Sequence, residues 1–149
     1  MLVLCLVLAG GLPSTPALAE SAEDKSLEPM LAYLDFADYG GSVIFAEQIE
    51  AADYPRFFIV DTRMTSQFEA GALPGATAIE WRQLLARRHE LPRDRPVLLY
   101  CHTGMLSAQA AFALRVAGWD NVKVLQGGYL EWQRKGGIHA ARAPQALAR

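Results

Sequence analysis

The sequence predicts a single α/β domain with a central parallel β-sheet and helices on both faces. Three observations carry this expectation. The continuous apolar runs Phe57-Phe58-Ile59-Val60 and Val97-Leu98-Leu99-Tyr100 have the form of strands covered on both sides. Helix-spaced stretches alternate with these runs and with a third, Val122-Lys123-Val124-Leu125, as βαβ units require. The length of 149 residues fits one domain around one core, at roughly 100–200 residues per domain.

Composition narrows the class further. Apolar residues make up 52% and charged residues 20%, which is globular rather than disordered or collagen-like. Two cysteines cannot build a disulfide-dense scaffold. A net charge of −2 argues against nucleic acid as a partner, since such surfaces are ordinarily basic.

Taken in order, residues 1–19 carry no charged side chain. Their apolar run from Leu2 to Leu12 is shorter than the ~20 residues of a membrane-spanning helix, so no stable membrane anchor is expected. Pro13, Pro16 and Ala17-Leu18-Ala19 follow, the layout of a cleavable secretory signal. A buried N-terminal helix is the alternative. The signal reading predicts export, to a bacterial periplasm, with cleavage near Ala19. Cys5 then leaves with the leader, and Cys101 remains as a lone thiol.

Residues 20–41 form a lead-in and a short helix. The stretch 20–28 is acidic and polar and reads as flexible. Pro29 opens the helix, Met30, Leu31, Leu34 and Ala37 are helix-spaced, and Gly40-Gly41 ends it. Ser42-Val43-Ile44 is a short strand. Over 45–52 the spacing of Phe45, Ile49 and Ala52 fits a short helix. The strand at 57–60 ends at Asp61, and a weaker strand, 76–79, follows Pro74-Gly75. Helices are expected over 81–88, 105–117 and 129–135, with Gly118 placed to end the second. The Ala-rich tail, 138–149, reads as loosely ordered.

Cys101 lies at the carboxyl end of a buried strand, and a short turn and a helix follow. Open α/β sheets bind ligands at that edge. Backbone N–H groups of 102–107 can curl around the sulfur as an anion-binding nest, and the positive end of the next helix points the same way. Both favour thiolate over thiol. Gly104 permits a turn with positive φ. The Ser107 hydroxyl can cap the helix or donate to the sulfur. A buried structural cysteine is the alternative, but this placement favours a nucleophile.

The segment Cys101-His102-Thr103-Gly104-Met105-Leu106-Ser107 resembles the active-site loop of the rhodanese (sulfurtransferase) family, whose pattern is C-x-x-G-x-R-S. Other segments are similar to the same family in the right order. Ile59-Val60-Asp61-Thr62-Arg63 resembles its D-V-R strand. Phe68-Glu69-Ala70-Gly71-Ala72-Leu73-Pro74-Gly75-Ala76 resembles F-x-x-G-H-I-P-G-A. Leu125-Gln126-Gly127-Gly128, with Trp132 and Gly136, resembles the closing L-x-G-G-x-x-x-W-x-x-x-G. The resemblance spans 42–137 and implies a rhodanese-like domain there.

Two departures stand out: Leu106 replaces the usual loop Arg, and Ala72 replaces the usual His. The first removes a guanidinium that would pair with an anionic donor, so thiosulfate binding is expected to be weak.

The resemblance implies that Cys101 takes a sulfane sulfur from thiosulfate, a polysulfide or a persulfide. Cys101 then passes it to cyanide, a small thiol or a protein thiol. The loop residues His102, Thr103, Gly104, Met105, Leu106 and Ser107 would bind substrate. No cofactor or metal is implied, and a monomer or weak dimer is expected. A rhodanese-like binding or redox module is the alternative, since a fold does not imply a function. A phosphatase-like site would need an Arg where Ser107 stands. Asp61 and Arg63 follow a buried strand near the functional edge. Asp61 could orient the loop, while an internal salt bridge is the simpler account. His89 and His139 have no second ligand at metal spacing. Trp81, Trp119 and Trp132 read as core. The arginines over 82–95 interleave with acids and read as a solvated face.

Overall fold

The computed structural model describes residues 22–40 and 42–138. The expected leader, Gly41, His139 and the tail beyond 138 lie outside the described residues. Five strands form one sheet: β1 (Val43–Ile44), β2 (Phe58–Asp61), β3 (Thr77–Ala78), β4 (Val97–Tyr100) and β5 (Val122–Leu125). Their order is β1-β5-β4-β2-β3, and every pairing is parallel. The helices are α1 (Ala22–Phe36), α2 (Thr65–Glu69), α3 (Trp81–Leu84), α4 (Met105–Val116) and α5 (Gly128–Arg134).

Strand β4 is central, and none of its four residues reaches solvent. Alternation along it divides the core in two. Val97 and Leu99 face Leu84 of α3 and Ala110, Ala111 and Leu114 of α4. Leu98 and Tyr100 face the other way, onto Leu73, Ile49 and Trp132 of α5. Each fully buried leucine is worth ~1.5–3 kcal/mol relative to an exposed one, so this strand anchors the domain. Trp119 joins the first cluster with Arg93 stacked 3.6 Å from its ring centroid, and Trp81 packs against the same cluster.

The expectations for residues 20–41, 45–52 and 81–88 need correction. Helix α1 begins at Ala22, so residues 22–28 are helical and Pro29 lies inside the helix. Ala, Glu, Lys and Leu favour helix. Its helix-spaced apolar residues Met30, Leu31 and Leu34 are exposed. The helix also stops at Phe36, short of Gly40. The segment 45–52 forms a 3-10 turn over Ala46–Gln48 instead of an α-helix. Its buried pair is Ala46 and Ile49, three apart, which is the 3-10 period. Helix α3 ends at Leu84, its one buried residue, because little packing supports the next turn. Helix α2 is short, and the sequence pattern did not predict it. No helix among the described residues is long and apolar enough to cross a membrane.

Candidate active site

The parallel sheet delivers Cys101 to its carboxyl edge, directly after β4. The chain then turns at Gly104, whose φ of 98° is left-handed, and enters α4. Cys101 is buried at 2% exposure and is unpaired. The Gly104 N–H donates to Sγ at 3.1 Å, and the Ser107 hydroxyl lies 3.6 Å from it. That hydroxyl also donates to the Gly104 carbonyl at 2.9 Å, and it does not cap the helix. Burial pushes the thiol's pKa up, but hydrogen bonds from Ser107, Thr103 and Gly104 together pull it below its ordinary value. The arrangement is an anion nest that stabilises a thiolate, or the terminal sulfur of a persulfide.

The other loop residues sit differently. His102 and Thr103 are exposed, and only the Thr103 backbone faces the sulfur. Met105 is 72% exposed and Leu106 38% exposed, so both form an apolar rim outside the nest.

A second turn holds the loop from behind. The N–H of Tyr129 donates to the Cys101 carbonyl at 2.8 Å, and that of Leu130 to the His102 carbonyl at 3.1 Å. The two turns approach so closely that a Cβ on Gly128 would sit 2.4 Å from the Cys101 carbonyl oxygen. Gly128 also has a φ of 58°, so it must be glycine for both reasons.

Asp61 and Arg63 do not surround the sulfur. They form a buried forked ion pair, with Nε 2.9 Å from Oδ1 and Nη2 2.5 Å from Oδ2. Arg63 also donates to the Gly71 carbonyl at 2.6 Å, which ties down the loop after α2. Tyr100 donates its hydroxyl to Asp61 at 2.6 Å and accepts from the Leu73 N–H at 3.0 Å. Burial, reinforced by that carboxylate, raises the Tyr100 pKa well above its ordinary value, so the hydroxyl stays protonated. The Arg63 guanidinium lies 4.1 Å from the Tyr129 ring centroid. The network therefore braces the residue before Cys101 and the residue that holds its carbonyl.

Sequence reasoning missed Tyr100, Tyr129 and Gly128 in these positions. One signal was present: Tyr100 is a hydroxyl-bearing residue inside an otherwise aliphatic buried strand, and such a group needs a partner. Among the described residues, no cluster of three or more His, Cys, Asp or Glu side chains could hold a metal ion.

Residues 44–135 match the family model described as rhodanese-like domain. The chain is 37% identical over 84 residues to the uncharacterized protein YqhL of Bacillus subtilis, covering 56% of this chain and 67% of that protein. It is 34% identical over 85 residues to a sulfurtransferase of Allochromatium vinosum, covering 57% and 79%. It is 29% identical over 91 residues to the thiosulfate sulfurtransferase GlpE of Pseudoalteromonas translucida, covering 61% and 87%. Among solved structures, a rhodanese-related protein of Thermoplasma volcanium superposes with a TM-score of 0.60 at 23% identity, covering 64% of this chain and 94% of that one.

Proposed function

The chain belongs to the rhodanese-like family, and on that premise we propose that it is a sulfurtransferase that carries a sulfane sulfur on Cys101. The carrying observation is the sulfur's setting: a thiol of lowered pKa at the functional edge, with the Gly104 N–H 3.1 Å away. Relatives named sulfurtransferase support the same class. In the first half-reaction the Cys101 thiolate attacks the outer sulfur of a donor. A new S–S bond forms, and the donor's own bond to that sulfur breaks. Sulfite leaves if the donor is thiosulfate, and a thiolate leaves if it is a persulfide. The loop N–H groups then hold the terminal sulfur. In the second half-reaction cyanide, a small thiol or a protein thiol removes it and restores Cys101. The protein acts after export, in a bacterial periplasm.

A second reading rests on one observation. Met105 and Leu106 give the loop an apolar rim where the family pattern carries an arginine. A rhodanese-like binding or redox module with weak thiosulfate activity has this character. Thiocyanate formation from cyanide, with thiosulfate and then a persulfide as donor, separates the two. The sulfurtransferase reading expects turnover that Cys101→Ser abolishes. No turnover with either donor supports the module.

A further inference from the structure

Beside the reactive loop, a groove of about 270 Å³ runs between α1, α4 and strands β1 and β5. Tyr33, Val43, Ala108, Phe112 and Val124 wall it, and it opens onto Thr103, Gly104 and Met105. The Tyr33 ring packs edge-on against Phe112, 5.3 Å between centroids. Its hydroxyl lies 3.4 Å from Nη1 of Arg115, whose other terminal nitrogen donates to the Val122 carbonyl. Arg115 is the one charged residue in the lining, and both its terminal nitrogens are thus engaged. Gly104 is common to groove and nest, since its N–H reaches the Cys101 sulfur. Tyr33, on α1, lies outside the residues that match the family model.

We infer that this groove holds the apolar substituent of an organic hydropersulfide, R–S–SH, and presents its outer sulfur to Cys101. The inference rests on the sulfurtransferase reading and names its donor class. The groove meets the loop at Thr103, Gly104 and Met105, so its occupant lies against the residue whose N–H holds the sulfur. The apolar rim of Met105 and Leu106 favours a donor with an apolar substituent and at most one charge over the thiosulfate dianion. The volume admits a group of phenyl size, and small-molecule sites are mostly apolar with a few placed polar groups. In the transfer, the Cys101 thiolate attacks the outer sulfur, and the Sγ–S bond forms as the inner S–S bond breaks. RS⁻ departs with the bonding pair and takes a proton from water, while the hydrogen stays on the transferred sulfur. The exchange needs no external oxidant or reductant.

The test compares hydropersulfides generated in situ, one with a benzyl and one with a 2-hydroxyethyl substituent, by kcat/KM for sulfur transfer to cyanide. The wild type is expected to favour benzyl by about tenfold or more, the scale on which apolar pockets discriminate. In Ala108→Phe, which fills the groove from an exposed helix position, that preference should collapse to within about threefold. Equal use of both donors by the wild type overturns the inference. A benzyl preference equally large in Ala108→Phe does the same, because it then reflects the donor's own reactivity. Transfer from neither donor overturns the sulfurtransferase reading instead. Equal use together with concentration-dependent self-association would give the groove to a second copy of the chain.

Discussion

The backbone N–H of Tyr129 donates to the carbonyl of Cys101 at 2.8 Å, so the first turn of α5 grips the residue that bears the sulfur. Gly128 makes this contact possible. In Gly128→Ala the new Cβ meets the Cys101 carbonyl oxygen at 2.4 Å and the Gly104 nitrogen at 2.8 Å. Both atoms belong to backbone and cannot swing away. The variant should lose about 2–4 kcal/mol in urea unfolding, from strain and displaced packing. It should also lose most sulfur transfer, because the nest shifts. Stability and activity equal to wild type would show that the two turns are not coupled.

The Asp61–Arg63 pair should be costly to break. Asp61→Ala leaves the Arg63 charge and the Tyr100 hydroxyl buried without their carboxylate. Removing one partner of a buried pair costs ~3–5 kcal/mol. The exposed pair Arg56–Asp53 provides the control, since Arg56→Ala should cost under about 1 kcal/mol. Urea midpoints for the two variants check this, and similar losses in both would contradict the bracing role.

The Cys101 titration should depend on Ser107. Burial raises the thiol's pKa, and the surrounding donors together lower it by more. Ser107→Ala removes the hydroxyl but keeps the burial, so the midpoint should rise. Thiolate absorbance, taken as the difference from Cys101→Ser, reads that midpoint. In wild type it should lie below that of a free thiol. The sign for stability follows: a folded pKa below the unfolded one adds stability that is present above the unfolded pKa and lost as pH falls through the folded one. The wild type should therefore gain stability over Cys101→Ser as pH rises through that window. A midpoint unmoved by Ser107→Ala would remove the hydroxyl from the nest.

Leu106 should control the choice of donor. Leu106→Arg restores a cation at a rim position that is 38% exposed. Partial exposure screens the charge, so the gain is on the order of 1 kcal/mol, or about fivefold in thiosulfate KM. Steady-state kinetics with thiosulfate and cyanide measure it. An unchanged KM would mean that the rim does not contact the donor.

Much of this architecture is legible in the sequence because burial on both faces leaves a plain mark. Strands β2, β4 and β5 each follow a short run rich in Val, Leu and Ile, and β4 leads straight to Cys101. The helix that follows is marked by Gly104 before it and Gly118 after it. What could not be read depends on contacts between distant segments. Tyr100 and Asp61 are paired across the β2–β4 register, 39 residues apart in sequence. Tyr129 reaches Arg63 only once α5 has docked. Helix α1 misleads in the other direction: Met30, Leu31 and Leu34 have core spacing but remain exposed, while Tyr33 is the residue whose ring packs on Phe112 of α4. Periodicity identifies a face without saying what covers it.

The central claim is that Cys101 carries the transferred sulfur. Intact-protein and peptide mass spectrometry after brief incubation with a persulfide donor, before any acceptor is added, tests it most directly. The account predicts one added sulfur atom on the peptide that contains Cys101, lost on adding cyanide and absent in Cys101→Ser. An unmodified Cys101 peptide in folded protein, while cyanide is still converted to thiocyanate, would contradict it.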